Sequence, residues 1–357
     1  MSDSSAKPTG PGSADSSEGA GIVGRPRRRS SRLRRTLIIL GATIVLVATA
    51  VGVGGALLIQ RYDHAVSRGE LLAPGSRSHN ASVSGPLNLL LIGSDKRVGN
   101  PDAGERSDTI IVAHVSRAMN KVYLISVPRD LLVDIPPMPS INFAGDTTKI
   151  NAAFEYGKGG PAGTQLVSAT LTKLMGTRFD GAAVIDFSGL RSAVDILNGV
   201  NMCVDTRVVS IHTGKVFEPG CRLMGSADVL DYLRQRDFPD GDFSRQRHQQ
   251  QFLKAFLERA RATGAASNPV KMDALLRAVA GTMTVDTGET KLTDLVFSMR
   301  QLGPTNMIGV KIPSDPDTID DVSYVVASPD APGLFDAIRK DQVEEWTKNN
   351  QQWVNKI

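Results

Sequence analysis

Between Arg35 and Gln60 the chain carries no charge, and this stretch decides where everything after it can fold. Thr36–Ile59 contains 24 residues. As a helix at 1.5 Å per residue it would span roughly 36 Å, enough to cross a bilayer with some tilt. A cleaved signal peptide is the competing reading. The stretch is longer than a signal-peptide core, and Ala56-Leu57-Leu58 makes a poor small-residue cleavage site, so a retained anchor is expected. Residues 1–35 hold eight basic and three acidic residues, a net +5 against +4 for the whole chain, which leaves −1 for the remainder. They are rich in Ser, Gly and Pro and have no apolar period, so they are expected to be a disordered basic tail. An arginine cluster ahead of an apolar span predicts a cytoplasmic N-terminus. The expected organisation is therefore a cytoplasmic tail at 1–35, a transmembrane helix at 36–59, a juxtamembrane connector at 60–85 and an extracytoplasmic domain at 86–357. The basic charge belongs to the tail, so nucleic-acid binding by the domain loses its electrostatic argument.

Cys203 and Cys221 are the chain's two cysteines and enclose seventeen residues. In an oxidising compartment they are expected to form a disulfide, worth about 3 kcal/mol by loop entropy. Two unpaired buried thiols are the alternative.

Within the exported part, Leu89–Ile92, Ile110–Val112 and Val122–Ile125 read as short buried strands. Lys149–Tyr156 reads as a short helix ended by Gly157. Leu166, Thr170, Leu171, Leu174 and Met175 have helical spacing up to Gly176. Ala182–Ile185 reads as a strand, and Leu190, Val194 and Leu197 mark one face of the next helix. Ala227–Arg234 is helical, and a long helix runs to about Thr263 with Phe252, Phe256 and Leu257 on its buried side. Further helical segments are expected at Met272–Met283, Leu292–Leu302 and Leu334–Trp346, with late strands at Met307–Lys311 and Ser323–Ala327. Strands and helices alternate, which makes the domain α/β. At about 270 residues it sits near the upper limit for one core, leaving room for a small insertion.

The charged residues gather at strand ends. Gly93-Ser94-Asp95-Lys96-Arg97, Glu105-Arg106-Ser107-Asp108-Thr109 and Val127-Pro128-Arg129-Asp130 each close or open an apolar run. Open α/β sheets bind ligands at such ends. Asp95 and Asp108 offer the hard oxygens that Mg2+ takes from one or two carboxylates. Arg106, Arg129, Arg234, Arg236 and Arg245 are candidates to hold a diphosphate, because guanidinium groups bind phosphate bidentately. An extended segment would aim Arg234 and Arg236 at one face, and a helix would stack Arg245 and Gln249. Asp130 reads as a structural partner for an arginine, and His248 as a helix-surface or supporting residue. Zinc spacing, a P-loop, a dinucleotide fingerprint and a Gly-x-Ser-x-Gly elbow are all absent from the sequence.

These motifs, together with Lys149-Ile150-Asn151-Ala152-Ala153, Tyr232-Leu233-Arg234-Gln235-Arg236 and Gly241-Asp242-Phe243-x-Arg245-x-x-x-Gln249, resemble the LytR-CpsA-Psr family of bacterial envelope phosphotransferases, in its actinobacterial form. The resemblance implies a three-layer α/β/α sandwich with a central mixed sheet, preceded by one transmembrane helix. It implies transfer of a glycopolymer phosphate from a polyprenyl-pyrophosphate carrier to a peptidoglycan hydroxyl, with Mg2+ held by Asp95 and Asp108. Arg106, Arg129, Arg234, Arg236 and Arg245 would bind the pyrophosphate, with Asp242 and Gln249 beside them. Asp95, Arg106, Arg129 and Arg236 would serve catalysis, Asp95 being the candidate base. The prenyl chain would lie in an apolar pocket, for which the apolar faces of Leu166–Met175 and Leu190–Leu197 are candidates, ordinary core being the expected fate of any single one of these residues. The donor, peptidoglycan and the membrane are the implied partners, and the implied location is the cell membrane, single-pass. His248 stands where members often carry arginine. Arg97 and Arg247 are assigned to the rim. A polyprenyl-pyrophosphate hydrolase and a non-catalytic envelope regulator are the other readings. Exported topology and the absence of a helix-turn-helix signature argue against direct DNA binding by such a regulator, and the presence of Asp95, Asp108 and all five arginines argues against a non-catalytic protein.

Overall fold

The computed structural model describes residues 67–78, 83, 85–94, 107–264, 268–280, 282–291, 294–295, 298–299 and 302–357. Among these residues no helix is long and apolar enough to cross a membrane, and Thr36–Ile59 lies outside them.

The strands in chain order are β1 (Ser67–Arg68), β2 (Leu87–Ser94), β3 (Ser107–Val115), β4 (Val122–Val127), β5 (Leu132–Ile135), β6 (Asp146–Lys149), β7 (Gly181–Asp186) and β8 (Val200–Val204), followed by β9 (Val208–Val209), β10 (Val216–Phe217), β11 (Gly220–Met224), β12 (Met283–Asp286), β13 (Met307–Lys311), β14 (Ser314–Ile319), β15 (Val322–Ala327) and β16 (Val354–Asn355). The described helices are α1 (Ile150–Tyr156), α2 (Gly160–Met175), α3 (Phe187–Ile196), α4 (Ser226–Arg234), α5 (Asp242–Ala262), α6 (Pro269–Ala280), α7 (Ala331–Lys340) and α8 (Val343–Asn349).

Eight strands form one mixed sheet in the order β1-β12-β7-β2-β3-β4-β13-β16. β7 lies parallel to β2 and β13 parallel to β4, while β3 runs against both β2 and β4. The ends of β2, β4, β7 and β13 therefore share one edge with the start of β3.

Period-two patterning places apolar side chains on both faces. Leu90, Ile92, Ile110, Val112, Tyr123 and Ile125 face a core completed by Leu166, Val167, Leu171 and Met175 of α2 and Leu334 and Ile338 of α7. Ile111, Ala113, Val115 and Leu124 face the other way, with Leu253 of α5, Leu295 and Leu302. Helices thus cover both faces of a central mixed sheet. A separate core, with Val200, Met202, Phe217, Val229, Tyr232 and Phe252, lies under β8–β11. There Cys203 and Cys221 stand opposite each other on β8 and β11 and are joined in a disulfide.

Three expectations need correction. Residues 67–78, read as connector, are packed into the domain. β1 joins the sheet, Leu71 is fully buried, and the Asp286 carboxylate accepts from Leu71 N at 2.8 Å and Leu72 N at 3.1 Å. Met283 begins a strand rather than ending a helix. Leu334–Trp346 is two helices, because Asp341 takes a left-handed conformation (φ 57°) and ends α7. The apolar faces of Leu166–Met175 and Leu190–Leu197, for which ordinary core and a prenyl pocket were both open, are packed into the cores. Leu166, Leu171, Met175 and Val194 have no exposed surface.

Candidate active site

The site is seeded by an irregularity in β3. Gly93 pairs with Thr109 and Ser94 pairs with Ser107, so Asp108 is an extra residue in the ladder. Such a bulge leaves one peptide unpaired and re-aims its side chain. The freed Asp108 carbonyl accepts a hydrogen bond from Arg245 Nη2 at 2.9 Å. The Asp108 side chain turns to three guanidinium groups. Its Oδ1 accepts from Arg129 Nη1 at 2.9 Å and Arg236 Nη2 at 3.2 Å, and Arg245 Nη1 lies at 3.9 Å.

Each arginine arrives from a different element. Arg129 follows β4 in a turn closed by Leu131 N donating to Pro128 O (3.0 Å) and Asn151 N to Arg129 O (3.0 Å). Asp130 steadies it, with Oδ2 at 3.4 Å from Arg129 Nε and Oδ1 at 3.3 Å from Lys149 Nζ. Asp130 is therefore the arginine's structural partner, as expected. Arg236 lies just past the end of α4, where Gln235 is extended (φ −67°, ψ 138°). Arg245 sits in the first turn of α5 and meets Asp242 Oδ1 at 2.6 Å, while Gln246 Nε2 donates to Asp242 Oδ2 at 3.0 Å. The Arg245–Asp242 approach is badly angled for a hydrogen bond and acts as an ion pair.

Burial alone would push the Asp108 carboxyl up, but Arg245, Arg236 and Arg129 outweigh it and hold it below the usual carboxylate range. Burial also opposes the charge on Arg129, yet Asp130 and Asp108 raise its pKa above the ordinary value. Burial dominates at Arg245 and lowers its pKa, with Asp242 opposing and Arg236 reinforcing. The group stays cationic at any physiological pH.

Exposure separates the three. Arg245 is 2% exposed, against 20% for Arg129 and 37% for Arg236. Arg245 braces the bulge from behind, while Arg129 and Arg236 reach the surface. In all three the Nε–H is buried with no hydrogen-bond acceptor among the described residues. Guanidinium groups gathered round one carboxylate, two of them at the surface, suit an oxyanion ligand.

Of the other expected site residues, Asp95, Arg97 and Arg106 lie outside the described residues. Their neighbours Ser94 and Ser107 face each other at this sheet edge. Arg234 ends α4, half-buried, and Gln249 is half-buried on α5. Of its two expected readings, His248 takes the supporting one. It is 1% exposed, its Nε2 lies 3.0 Å from Tyr232 Oη and 3.4 Å from Asp205 Oδ2, and its ring packs 4.9 Å from Phe238. Hydrogen bonding from His248 chiefly, and then from Arg247, holds Asp205 down at about 2 despite burial. Arg247, on this side of α5, bonds Asp205 Oδ2 at 2.6 Å and stays away from Asp108. Sequence reasoning passed over Gln250. Its Nε2 donates to Leu124 O (2.7 Å), Ser126 Oγ (2.8 Å) and Val310 O (2.8 Å), pinning α5 to β4 and β13. A glutamine amid charged neighbours on a helix carries no signal that it is buried.

The LytR_cpsA_psr family profile matches residues 56–339. The chain is 32% identical over 227 residues to a probable cell wall biosynthesis protein, LcpB, of Corynebacterium glutamicum, covering 60% of this chain and 52% of that one. It is 24% identical to the cell wall biosynthesis protein LcpA of the same organism, over 78% of this chain and 59% of the other. The chain thus spans little more than half the length of these curated relatives. Among solved structures, protein gbs0355 of Streptococcus agalactiae superposes with a TM-score of 0.64 at 21% identity, covering 74% of this chain and 91% of that chain. A LytR-Csp2A-Psr enzyme from Actinomyces oris gives 0.58 at 21% identity, over 77% and 96%. TagT bound to LIIa-WTA gives 0.58 at 20% identity, over 76% and 98%. At these identities the structural likeness concerns the fold. The profile match over most of the chain carries the assignment: the chain belongs to the LytR-CpsA-Psr family.

Proposed function

We propose that this chain transfers a glycopolymer phosphate from a polyprenyl-pyrophosphate carrier to a hydroxyl of peptidoglycan, attaching a secondary polymer to the cell wall. The observation that carries the reading is the convergence of Arg129, Arg236 and Arg245 on Asp108, with Arg129 and Arg236 reaching the surface. A diphosphate entering there displaces Arg129 and Arg236 from the Asp108 carboxylate and takes their N–H groups. Arg245 stays on the bulge carbonyl and keeps Asp108 in place. The acceptor hydroxyl attacks the glycan-side phosphorus, the anhydride P–O bond breaks, and polyprenyl phosphate leaves with the bonding pair. Its developing charge is met by guanidinium groups already fixed in position, which is where such groups help most. The hydroxyl proton passes to a base, a role that falls to Asp95 by its place in the motif. The donor's own anhydride supplies the driving force.

The donor set fits magnesium only together with the diphosphate. Asp108 is a hard carboxylate, but three guanidinium groups beside it repel a bare cation. Magnesium takes one or two protein carboxylates and completes its shell from phosphate and water. Asp108 and Asp95 would hold it, and when bound it would neutralise charge on the phosphate oxygens. The relatives described as cell wall biosynthesis proteins, and TagT described as bound to LIIa-WTA, support an envelope glycopolymer as cargo. The uncharged stretch Thr36–Ile59 supports a single-pass membrane location that brings enzyme and carrier together.

The test is incubation of the purified full-length chain with a radiolabelled polyprenyl-pyrophosphate glycan and peptidoglycan. Label should move to peptidoglycan with magnesium present and fail to move with Arg129→Ala. Release of soluble glycan phosphate without attachment would turn the reading into a hydrolase. An intact donor would reject both.

A further inference from the structure

The hairpin beside the arginines wears its apolar residues outward. β9 and β10 pair Val208 with Phe217 and Val209 with Val216. Val208 and Phe217 point inward, Phe217 packing 5.4 Å from the Tyr232 ring. Strand alternation then sends Val209 and Val216 to solvent, where they are 42% and 39% exposed. Ile211 in the turn is 63% exposed. A hairpin whose inner face is already buried ordinarily carries polar residues outside. A contiguous apolar tip on a soluble domain marks an interaction surface.

The tip is also held rigidly. Asp231 accepts from Ser210 Oγ (2.6 Å), Thr213 Oγ1 (2.6 Å) and Gln235 Nε2 (2.7 Å), and Ile211 N donates to Gln235 Oε1 at 3.2 Å. Asp231, Gln235 and Ser210 are all buried. Gln235 is the residue between Arg234 and Arg236, so this network fixes the apolar tip one residue away from the diphosphate clamp.

Chain direction supplies an independent observation. β1 is parallel to β12, β12 antiparallel to β7, and β7 parallel to β2. β1 therefore runs opposite to β2, and the chain upstream of Ser67 leaves the sheet at the edge that holds the clamp. Seven residues, 60–66, separate Ser67 from the end of the uncharged stretch at Ile59. Fully extended they reach about 25 Å at most.

We propose that the 208–217 hairpin is the surface on which the domain rests against the lipid bilayer. Val209, Ile211 and Val216 enter the interfacial region and turn the clamp edge toward the membrane. The inference rests on the reading that the donor is lipid-linked, and it adds how the clamp meets a diphosphate lying at headgroup level. A bilayer suits the tip better than a second protein copy, because Ser67, at this edge, is only seven residues in sequence from the uncharged stretch. Insertion of apolar side chains provides the binding. The flanking Arg207 and Lys215 are already paired with Glu218 (3.2 Å) and Asp228 (2.6 Å), so charge attraction is secondary.

The experiment places the full-length protein in nanodiscs of phosphatidylcholine and phosphatidylglycerol, with ordinary or brominated acyl chains. Ile211→Trp and Val216→Trp are compared with the parent, which has two tryptophans, and with Val270→Trp. Val270 is 77% exposed at the start of α6, the end far from β12 and the clamp edge. The added emission from positions 211 and 216 should be blue-shifted and fall about twofold or more in brominated discs, as for side chains at the acyl boundary, while that from position 270 should not change. Quenching at 211 and 216 no greater than at 270 would overturn the proposal. So would emission that is blue-shifted but unquenched, which signifies a protein partner. In a second arm, Ile211→Asp should lose about fivefold or more turnover of a disc-embedded donor and little with a short-chain soluble donor, as expected when only interfacial docking is weakened. Equal loss on both donors would assign the hairpin to the chemistry instead and overturn docking. The quenching arm needs no turnover, so failure of the transferase reading and failure of docking are told apart.

Discussion

Arg129 and Arg245 both touch Asp108, yet they stand to it differently, and substitution should separate them. Arg129 is partly exposed and bonds a carboxylate oxygen that a ligand can replace. Arg129→Ala should slow polyprenyl phosphate release by about 10²–10³-fold with little change in thermal stability, and Arg129→Lys should recover only part, since an ammonium cannot bond bidentately. Arg245 is buried against Asp242 and the Asp108 carbonyl. Arg245→Ala removes a buried guanidinium and leaves the Asp108 carbonyl without its donor, and should cost about 1–3 kcal/mol of stability. Turnover and thermal unfolding of both variants check the division. An Arg245→Ala protein as stable as the parent would refute the brace. On the far side of the same helix, Asp205 provides a pH signature. Its carboxyl sits at about 2 when folded, against about 3.9 unfolded. The depressed value stabilises the fold fully above the unfolded pKa, and that contribution disappears as pH falls through 2. Asp205→Asn should therefore melt below the parent at pH 6, with the gap closing as pH approaches 2. A gap that persists undiminished in acid would show that the carboxylate's charge is not what matters.

At the scale of elements, the bulge decides the site, and Gly93 permits it. A Cβ on Gly93 would stand 3.0 Å from Thr109 Cβ and 3.2 Å from its Oγ1, on the residue next to Asp108. Gly93→Ala should cost about 1–3 kcal/mol by overpacking and reduce turnover as Asp108 is displaced. Gly75→Ala, where a Cβ meets nothing within 4 Å, is the control and should change neither. Much of this level was legible in the sequence. Apolar runs marked β2, β3, β4, β7 and β13, and Gly176 marked the end of α2, where it takes φ 64°. The basic and acidic clusters at strand ends pointed to the correct sheet edge, and Arg129, Arg236, Arg245, Asp108 and Asp242 do meet there. The bulge itself was not legible, because Ser107-Asp108-Thr109 has no residue that announces a skipped pairing. Nor was β14, whose Asp315-Pro316-Asp317 reads as loop and pairs only because β15 lies beside it. His248 could be read as a helix-surface or a supporting residue, because its helix is densely charged. Its burial comes from Tyr232 and Phe238, which only tertiary structure brings to it.

Taken as a whole, the molecule has a main core under the large sheet and a smaller one under β8–β11, the latter closed by Cys203–Cys221. The disulfide lies at the base of the hairpin that carries Val209, Ile211 and Val216, so its loss should be felt there first. Cys203→Ser should cost about 2–5 kcal/mol, and amide exchange should rise across residues 200–224 while the central strand at 122–127 stays protected. Exchange that rises evenly over both cores would contradict two separately stabilised regions.

The bulge also imposes an order of events. The Asp108 carbonyl, left out of the ladder, finds its donor on Arg245, 137 residues further along the chain. β2, β3 and β4 are close in sequence and can pair early, whereas contacts so distant form late. During synthesis the sheet can therefore assemble with its central defect still open, and the defect closes only when α5 docks. The clamp comes into being at that same moment. A chain still emerging, or one in which α5 has not yet docked, already has its sheet edge but has no assembled site with which to react.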